Sequence, residues 1–287
     1  MSAAPVSRFA FVDGRFVPEA EAVVSVLDRS FLYGDGVFET LYAQAGKPFQ
    51  LSAHLDRLWQ GAALLGMRVP LDRPALADAA GRLLAMNPAP VALLRLTLSR
   101  GVGVRGYSPR GADQPTLVIT QHAAGDRPSP TLRWRLRTAT FRLPAGDRIA
   151  AIKSCNKLAQ VLARAEAEAV GADEAILLNS EGNAVEAAAG NLFFIRDAVV
   201  HTPPVVSGIL PGVTRSVVMD LCSTLGIPAR EVAPAPAALL EADGVFVTLS
   251  TLGVVPASRL DDHALADSPL VSRLRTAYWD RVDAECR

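Results

Sequence analysis

The sequence is short of several features that mark other classes of protein. Its 29 basic and 29 acidic residues cancel, so it has no charge excess that would indicate a nucleic-acid or membrane-surface partner. The three cysteines, Cys155, Cys222 and Cys286, are scattered and fit neither a disulfide framework nor a metal site. No apolar run is long enough to span a bilayer, and residues 1–17 lack a basic-then-apolar export pattern. We therefore expect a cytoplasmic protein that acts on a small molecule.

The domain organisation follows from length and composition. The chain has 287 residues, half of them hydrophobic, which is enough for two globular domains. A polar, Gly/Pro-rich stretch predicts a linker at 122–131 between a small domain at 1–121 and a larger domain at 132–287. Short alternating strands, such as a hairpin around Asp13 and Gly14, are interspersed with few helices. This pattern predicts an α+β fold.

Helical spacing predicts three helices. One has Ser52 as its N-cap and stops at Gly66. Another covers 156–170, where one face carries Leu158, Val161, Leu162, Ala165 and Ala169. A third follows Gly212 and stops before Gly226.

Lys153 is the first candidate for chemistry. It follows a small apolar run, and a lysine that loses water in such surroundings has a lowered pKa and becomes a nucleophile toward carbonyl groups. The alternative is an ordinary surface lysine at the end of a strand.

Glu186 is the second candidate. On an alternating strand it shares a face with Ala184 and Ala188, and a carboxylate buried among alanines must be paired or protonated. A protonated pyridine nitrogen is a suitable partner. The alternative is a strand at the edge of a sheet, with Glu186 facing solvent.

Three further stretches suit a phosphate group. Arg57 lies on an amphipathic helix, where it is either solvated or forms a bidentate contact with phosphate. The helix start at Gly212, Val213 and Thr214 offers exposed N–H groups to an anion. Hydroxyl side chains also follow a buried strand, at Thr248, Ser250 and Thr251. Together with Lys153 and Glu186, these groups meet the needs of pyridoxal phosphate.

The motifs "KSCN", "ADEAILLN" and "EAAAGNLF", in this order, resemble those of the class IV (fold type IV) pyridoxal-phosphate enzymes. That family includes branched-chain and D-amino-acid aminotransferases, R-selective amine transaminases and aminodeoxychorismate lyases. The resemblance runs from "DRSFLYGDGVFETL" to "GVFVTLSTLGVVPA". It implies a small and a larger α/β domain with pyridoxal 5′-phosphate between them, a small-molecule amine substrate and a homodimer.

The resemblance also implies a role for each candidate residue. Lys153 matches the lysine that binds the cofactor covalently and moves the proton, and Glu186 matches the acid on the pyridine nitrogen. Leu210 matches the leucine that packs on the cofactor ring. The phosphate would be held by Arg57, Val213, Thr214, Ser250 and Thr251. Tyr33 matches an aromatic residue of the substrate pocket that is often contributed to the partner subunit's site.

Within this family, four local features resemble aminodeoxychorismate lyase, which releases p-aminobenzoate and pyruvate for folate synthesis. They are Thr40 in "YGDGVFETL", the stretch "SRGVGVRGYSP", the run "NKLAQVLARAEA", and Gly253 where aminotransferases commonly carry glutamate. Arg105 and Tyr107 would bind a substrate carboxylate, and Thr40 would help to position the substrate or relay a proton. The alternatives are a solvent-facing loop arginine and a threonine that only packs.

Other features favour an aminotransferase. "IKS" resembles D-amino-acid aminotransferases, "GILPGVTR" is common among aminotransferases, and Leu249 stands near the place of an asparagine typical of many lyases. We therefore expect the lyase, with an aminotransferase acting on D- or branched-chain amino acids as the alternative. A cofactor-binding or regulatory protein without turnover is a third possibility, which the presence of both Lys153 and Glu186 disfavours.

Overall fold

The structure, a computed structural model, describes residues 8–287. The prediction that residues 1–17 carry no export pattern therefore falls partly on residues 1–7, which lie outside the described residues. The chain forms two compact units. The first contains the chain up to Asp126 together with 152–156 and 285–287, and the second contains 127–151 and 157–284. Within residues 8–287, no helix is both long and apolar enough to cross a membrane.

The first unit is built on a six-stranded antiparallel sheet with the strand order β2-β1-β6-β5-β3-β4. Its elements are β1 (Phe9–Val12), β2 (Arg15–Pro18), α1 (Arg29–Tyr33), β3 (Gly36–Gln44), β4 (Lys47–Pro48), α2 (Leu51–Leu64), α3 (Arg73–Met86), β5 (Val91–Ser99) and β6 (Thr116–Ala123). The predicted hairpin is confirmed: Asp13 and Gly14, both with positive φ, connect β1 and β2.

The core of the first unit lies between one face of this sheet and helices α2 and α3. Alternate residues of β5 are buried there, including Leu94, Leu96 and Leu98, and they share a cluster with Leu58 of α2 and Leu83 of α3. Helix α2 begins at Leu51 with Gln50 as its N-cap, two residues before the predicted N-cap Ser52.

The second unit contains a nine-stranded mixed sheet and four helices. Its elements are β7 (Trp134–Leu143), α4 (Leu158–Ala169), β8 (Glu174–Asn179), β9 (Ala184–Ala187), β10 (Asn191–Arg196), β11 (Val199–Thr202), α5 (Val213–Thr224), β12 (Ala229–Glu231), α6 (Pro236–Leu240), β13 (Gly244–Leu249), β14 (Gly253–Leu260), β15 (His263–Ala264) and α7 (Pro269–Glu285). The predicted α+β class is confirmed, and α5 follows Gly212 as expected.

Six strands of this sheet close on themselves. They run in the order β10-β13-β14-β7-β8-β9, and a further pairing of Glu186 with Asn191 joins β9 back to β10. Closure removes the free edge of β9, so a residue on this strand has neighbouring strands on both sides.

Helix α4 packs by a different face from the predicted one. Ala163 and Ala167 are buried against Ala175 and Leu177 of β8, whereas Leu158 and Val161 are 64% and 60% exposed. The predicted range, 156–170, is close to the observed one, but the apolar face identified from the spacing is the exposed face.

Candidate functional site

Lys153 lies on a short segment that pairs with the start of β3. The N–H of Phe38 donates to the Lys153 carbonyl (2.9 Å), and the N–H of Cys155 donates to the Gly36 carbonyl (2.8 Å). The Lys153 Nζ atom lies 4.8 Å from the centroid of the Phe38 ring. The lysine is partly buried on backbone held by β3, so it is not the ordinary exposed lysine of the alternative interpretation.

Arg57 belongs to a buried ionic cluster with Glu39 of β3 and His54 of α2. The Arg57 Nε and Nη2 atoms donate to the two Glu39 carboxylate oxygens at 2.8 and 2.6 Å, and His54 Nδ1 lies 2.7 Å from Glu39 Oε2. All three side chains are buried. The bidentate contact fixes the plane of the Arg57 guanidinium, so this arginine is not a freely solvated one.

The cluster shifts the pKa values of its own members. Burial raises the pKa of the Glu39 carboxyl, but hydrogen bonds and charges from Arg57 and His54 outweigh burial and hold this pKa below its usual 4.5. Burial lowers the pKa of His54 below 6.5, the Glu39 carboxylate opposes that shift, and the Arg57 and Lys153 charges add to it. The cluster therefore holds an ionised Glu39 and a neutral His54 at pH 7.

Thr40 lies one residue beyond Glu39 on β3, directly opposite Arg95 of β5. The Arg95 guanidinium carbon is 3.9 Å from the centroid of the Phe38 ring, the same ring that Lys153 contacts. Burial lowers the pKa of Arg95, and the nearby Cys155 opposes the shift. Sequence reasoning missed Arg95 because an arginine within an alternating strand is typical of a solvent-facing position.

The predicted substrate residues Tyr33, Arg105 and Tyr107 lie near the end of α1 and on the loop that follows β5. The rings of Tyr33 and Tyr107 contact each other at 5.5 Å between centroids, and Tyr33 Oη accepts a hydrogen bond from the Gly106 N–H (3.2 Å). Arg105 is exposed, and Tyr107 is 88% exposed. The structure thus joins Tyr33 to the loop that carries the other two residues.

In the second unit, Glu186 occupies β9 and is only 8% exposed. It pairs with Leu177 of β8 and Asn191 of β10, and its Oε2 atom accepts a hydrogen bond from the Leu210 N–H (3.1 Å). The alternative of a solvent-facing edge strand is therefore wrong. The backbone of Leu210 fixes the orientation of this carboxylate.

Asn191 connects Glu186 to the helix start that was predicted to bind an anion. Its Nδ2 atom donates to the Leu210 carbonyl (2.8 Å). A Cβ atom on Gly212 would overlap Asn191 Oδ1, so only glycine fits there as the N-cap of α5. Asn191 was missed as a site residue, although it belongs to the motif "EAAAGNLF" on which the resemblance depends.

The remaining candidates are at the ends of elements in the second unit. Val213 and Thr214 are buried in the first turn of α5, where N–H groups have no partner within the helix. Ser250 and Thr251 form the partly buried turn between β13 and β14. The neighbouring Thr248 Oγ1 is buried, without a hydrogen-bond partner in residues 8–287.

These groups fit the cofactor implied by the resemblance. The first unit offers a partly buried lysine and an arginine of fixed orientation. The second offers a buried carboxylate, the N-terminus of a helix of twelve residues and a hydroxyl-bearing turn. A reactive amine, a carboxylate for a ring nitrogen and donors for phosphate are what pyridoxal phosphate requires.

Comparison with known proteins gives a consistent result. The family described as amino-transferase class IV matches residues 36–260. A Methanocaldococcus jannaschii protein assigned to the branched-chain-amino-acid aminotransferases is 37% identical over 89% of this chain and 88% of its own. A D-alanine aminotransferase of Listeria innocua is 30% identical over 96% of each chain.

Solved structures show the same fold. The branched-chain aminotransferase of Thermoproteus uzoniensis superposes with a TM-score of 0.92 at 30% identity, over 97% of this chain and 96% of that chain. A Legionella pneumophila protein assigned as a 4-amino-4-deoxychorismate lyase gives a TM-score of 0.86 at 26% identity, over 92% of this chain and 97% of that chain.

Proposed function

Because the chain belongs to the class IV aminotransferases, enzymes that use pyridoxal 5′-phosphate, we propose that it transfers an amino group from an amino acid to a keto acid. The proposed donors are branched-chain L-amino acids or D-alanine. The observation that carries this choice is the near-full-length likeness to aminotransferases of both kinds. It favours the aminotransferase, the alternative drawn from the sequence, over the lyase.

In this proposal, the bound cofactor supplies an electron-withdrawing pyridinium ring that stabilises negative charge on the substrate carbon. Lys153 would hold the cofactor, and its Nζ atom would take up the proton from the substrate carbon that bears the amine. Glu186, oriented by the Leu210 N–H, keeps the ring nitrogen protonated. Leu210 packs on the ring.

The phosphate is proposed to contact Arg57, Val213, Thr214, Ser250 and Thr251. Arg57 supports this role because Glu39 holds its guanidinium in one orientation. The first turn of α5 supports it because its N–H groups and the positive end of the helix dipole favour an anion.

Tyr33, Thr40, Arg105 and Tyr107 are proposed to bind the substrate. Arg105 provides a cation for the carboxylate that every amino acid carries. Thr40 is opposite Arg95, a second cation that would suit the additional carboxylate of a dicarboxylic keto acid.

We also propose a homodimer. Leu27, Phe31, Val102 and Val104 are all exposed, and a bridge between Asp28 and Val102 brings their two segments side by side. A soluble protein rarely leaves such a patch uncovered, and the patch adjoins the loop that carries Arg105. In sedimentation, the protein is expected to run as a dimer and F31D as a monomer, while R15D, on another surface, remains a dimer. A monomeric parent protein would contradict the proposal.

The function is tested with purified protein, pyridoxal phosphate and 2-oxoglutarate as acceptor. L-leucine, L-valine and D-alanine are offered in turn, and keto-acid formation is measured. Borohydride reduction should attach the cofactor permanently to a lysine. Peptide mapping should locate the label on Lys153, one of three lysines in the chain. K153A should lose all turnover and remain folded, while the control K157A stays active. Full activity in K153A would overturn the proposal.

The lyase is a second candidate, favoured by the likeness to the Legionella protein and by Thr40. It predicts release of p-aminobenzoate and pyruvate from aminodeoxychorismate without an added keto acid. Rapid release with no amino-group transfer would replace the aminotransferase proposal, whereas no release would remove the lyase.

A further inference from the structure

Arg29 is a buried arginine to which neither the sequence nor the proposed function assigns a role. It is the first residue of α1 and is 3% exposed. Its Nη1 atom donates to the carbonyls of Gly106 (2.9 Å) and Ser108 (3.1 Å), and its Nη2 atom donates to the carbonyl of Tyr107 (3.1 Å). One guanidinium therefore binds three consecutive carbonyls of the loop that carries Arg105 and Tyr107.

The rest of the Arg29 side chain is equally constrained. Its Nε atom donates to Asp35 Oδ2 (2.8 Å), and its guanidinium carbon lies 5.0 Å from the centroid of the Tyr33 ring. Tyr33 in turn accepts the Gly106 N–H and contacts the Tyr107 ring. Arginine suits this position because its planar fork of five N–H donors reaches several acceptors at once.

The loop has few other means of fixing its backbone. Residues 103–111 belong to no strand or helix, and Arg105 and Tyr107 are exposed. Exposed loop backbone without ladder hydrogen bonds samples many conformations unless other groups bind it. The Arg29 contacts are made to main-chain oxygens, so they restrict the path of the loop whatever side chains it carries.

We propose that Arg29 is a positioning residue that fixes the backbone at 106–108 and thereby holds Arg105 and Tyr107 ready for the substrate carboxylate. The proposal rests on the substrate role proposed above for these two residues. Preorganisation of this kind lowers the entropy lost on binding, so its loss appears mainly in KM.

Arg100 provides a matched control within the same network. It also binds Asp35, with Nε at 2.7 Å and Nη2 at 3.0 Å, but its further contact is to the Leu65 carbonyl and not to the loop. Replacing either arginine removes one cation from Asp35. Only replacement of Arg29 removes the contacts to 106–108.

The experiment compares holoenzymes carrying R29Q and R100Q with the parent protein. Limited trypsin digestion, read by mass spectrometry, measures cleavage after Arg105 and Arg110. Steady-state kinetics with the best amino-acid donor gives kcat and KM separately. We expect R29Q to speed cleavage and to raise KM by about tenfold to a hundredfold, with kcat within about threefold of the parent value. R100Q should change neither cleavage at these sites nor KM by more than about threefold.

Equal KM values in R29Q and R100Q would overturn the proposal, as would an unchanged rate of cleavage in R29Q. If R29Q does not fold, the pair R29K and R100K takes its place, because lysine keeps the charge and reaches fewer carbonyls; only R29K should raise KM. A parent protein that transfers no amino group defeats the proposed function and the substrate role of Arg29 with it. The rate of trypsin cleavage after Arg105 and Arg110 would then still show whether Arg29 fixes the backbone of the loop.

Discussion

Each unit of the protein buries a carboxylate of interest: side chains contact the first, and a backbone N–H contacts the second. Glu39 in the first unit is fully buried and is bound by the Arg57 guanidinium and the His54 ring. Glu186 in the second unit is bound by a backbone N–H, that of Leu210. A cationic partner compensates a buried negative charge, whereas a backbone amide mainly orients it.

We expect Glu39 to serve mainly the stability of the fold and Glu186 to serve mainly the proposed reaction. Removing the Glu39 charge leaves a buried arginine without its counter-charge, so the folded state should suffer most. Removing the Glu186 charge should affect the proposed reaction most, because an amide oxygen can still accept the Leu210 N–H but cannot supply the negative charge that the ring nitrogen is proposed to need. Three predictions test this division, in order of decreasing expected effect.

The largest effect on folding is expected for E39Q. Glutamine keeps the shape of Glu39 but leaves Arg57 buried without a negative charge, which should lower the free energy of unfolding by about 3–5 kcal/mol. Urea unfolding followed by circular dichroism measures it. The control is E241Q, because Glu241 pairs with Arg196 on the surface, where such a pair contributes about 0–1 kcal/mol. Equal losses in the two variants would remove the distinction.

For E186Q, the main loss is expected in the reaction rate. The amide oxygen of glutamine still accepts the Leu210 N–H, so stability should change by less than in E39Q. Turnover should fall by about a hundredfold or more, because the ring nitrogen would lose its anionic partner. Single-turnover kinetics of the cofactor absorbance separate this rate from cofactor binding. An unchanged rate would show that Glu186 does not serve the cofactor.

The smallest effect is a dependence of stability on pH that originates in His54. Its pKa in the folded protein lies below 6.5, so below pH 6.5 the unfolded chain binds a proton that the folded protein does not. Stability should therefore fall as pH falls from 6.5 to the folded pKa, by at most about 1.4 kcal/mol per pH unit. H54Q should lack this slope, while H263Q, at an exposed site, should keep it. Identical slopes in both would refute the interpretation.

Glu39 adds a second contribution to the pH dependence. Its folded pKa is below the usual 4.5, so its contribution is complete above the unfolded pKa and is lost as pH falls through the folded pKa. His54 therefore begins to destabilise the first unit at a higher pH than Glu39 does, and E39Q should remove the contribution of Glu39.

The sequence was sufficient for those parts of the fold that depend on neighbouring residues. The turn at Asp13 and Gly14 and the start of α5 after Gly212 follow from local backbone preferences. The order of the motifs around Lys153 and Glu186 identified the family, because a resemblance of this kind combines many positions. The α+β class followed from the alternation of short strands and separated helices.

The sequence did not predict which faces and side chains pack against each other. On α4, the larger apolar residues Leu158 and Val161 indicated the wrong face, because Ala163 and Ala167 let the helix approach β8 closely. Periodicity identifies an apolar stripe but not which face has a partner. The pairing of Glu39 with Arg57 and the contacts of Arg29 join separate elements, and no spacing in the sequence encodes them.

The segment 152–156 has a consequence for how the protein is made. It belongs to the first unit, although the chain on either side of it belongs to the second. On the ribosome, residues 9–123 can supply all six strands of the first sheet, yet the carbonyl of Gly36 and the N–H of Phe38 still lack the partners that arrive with Lys153 and Cys155. A fragment expressed as residues 1–126 would thus contain the six strands but not Lys153. Splitting the gene at the linker would separate Lys153 from the strand that holds it.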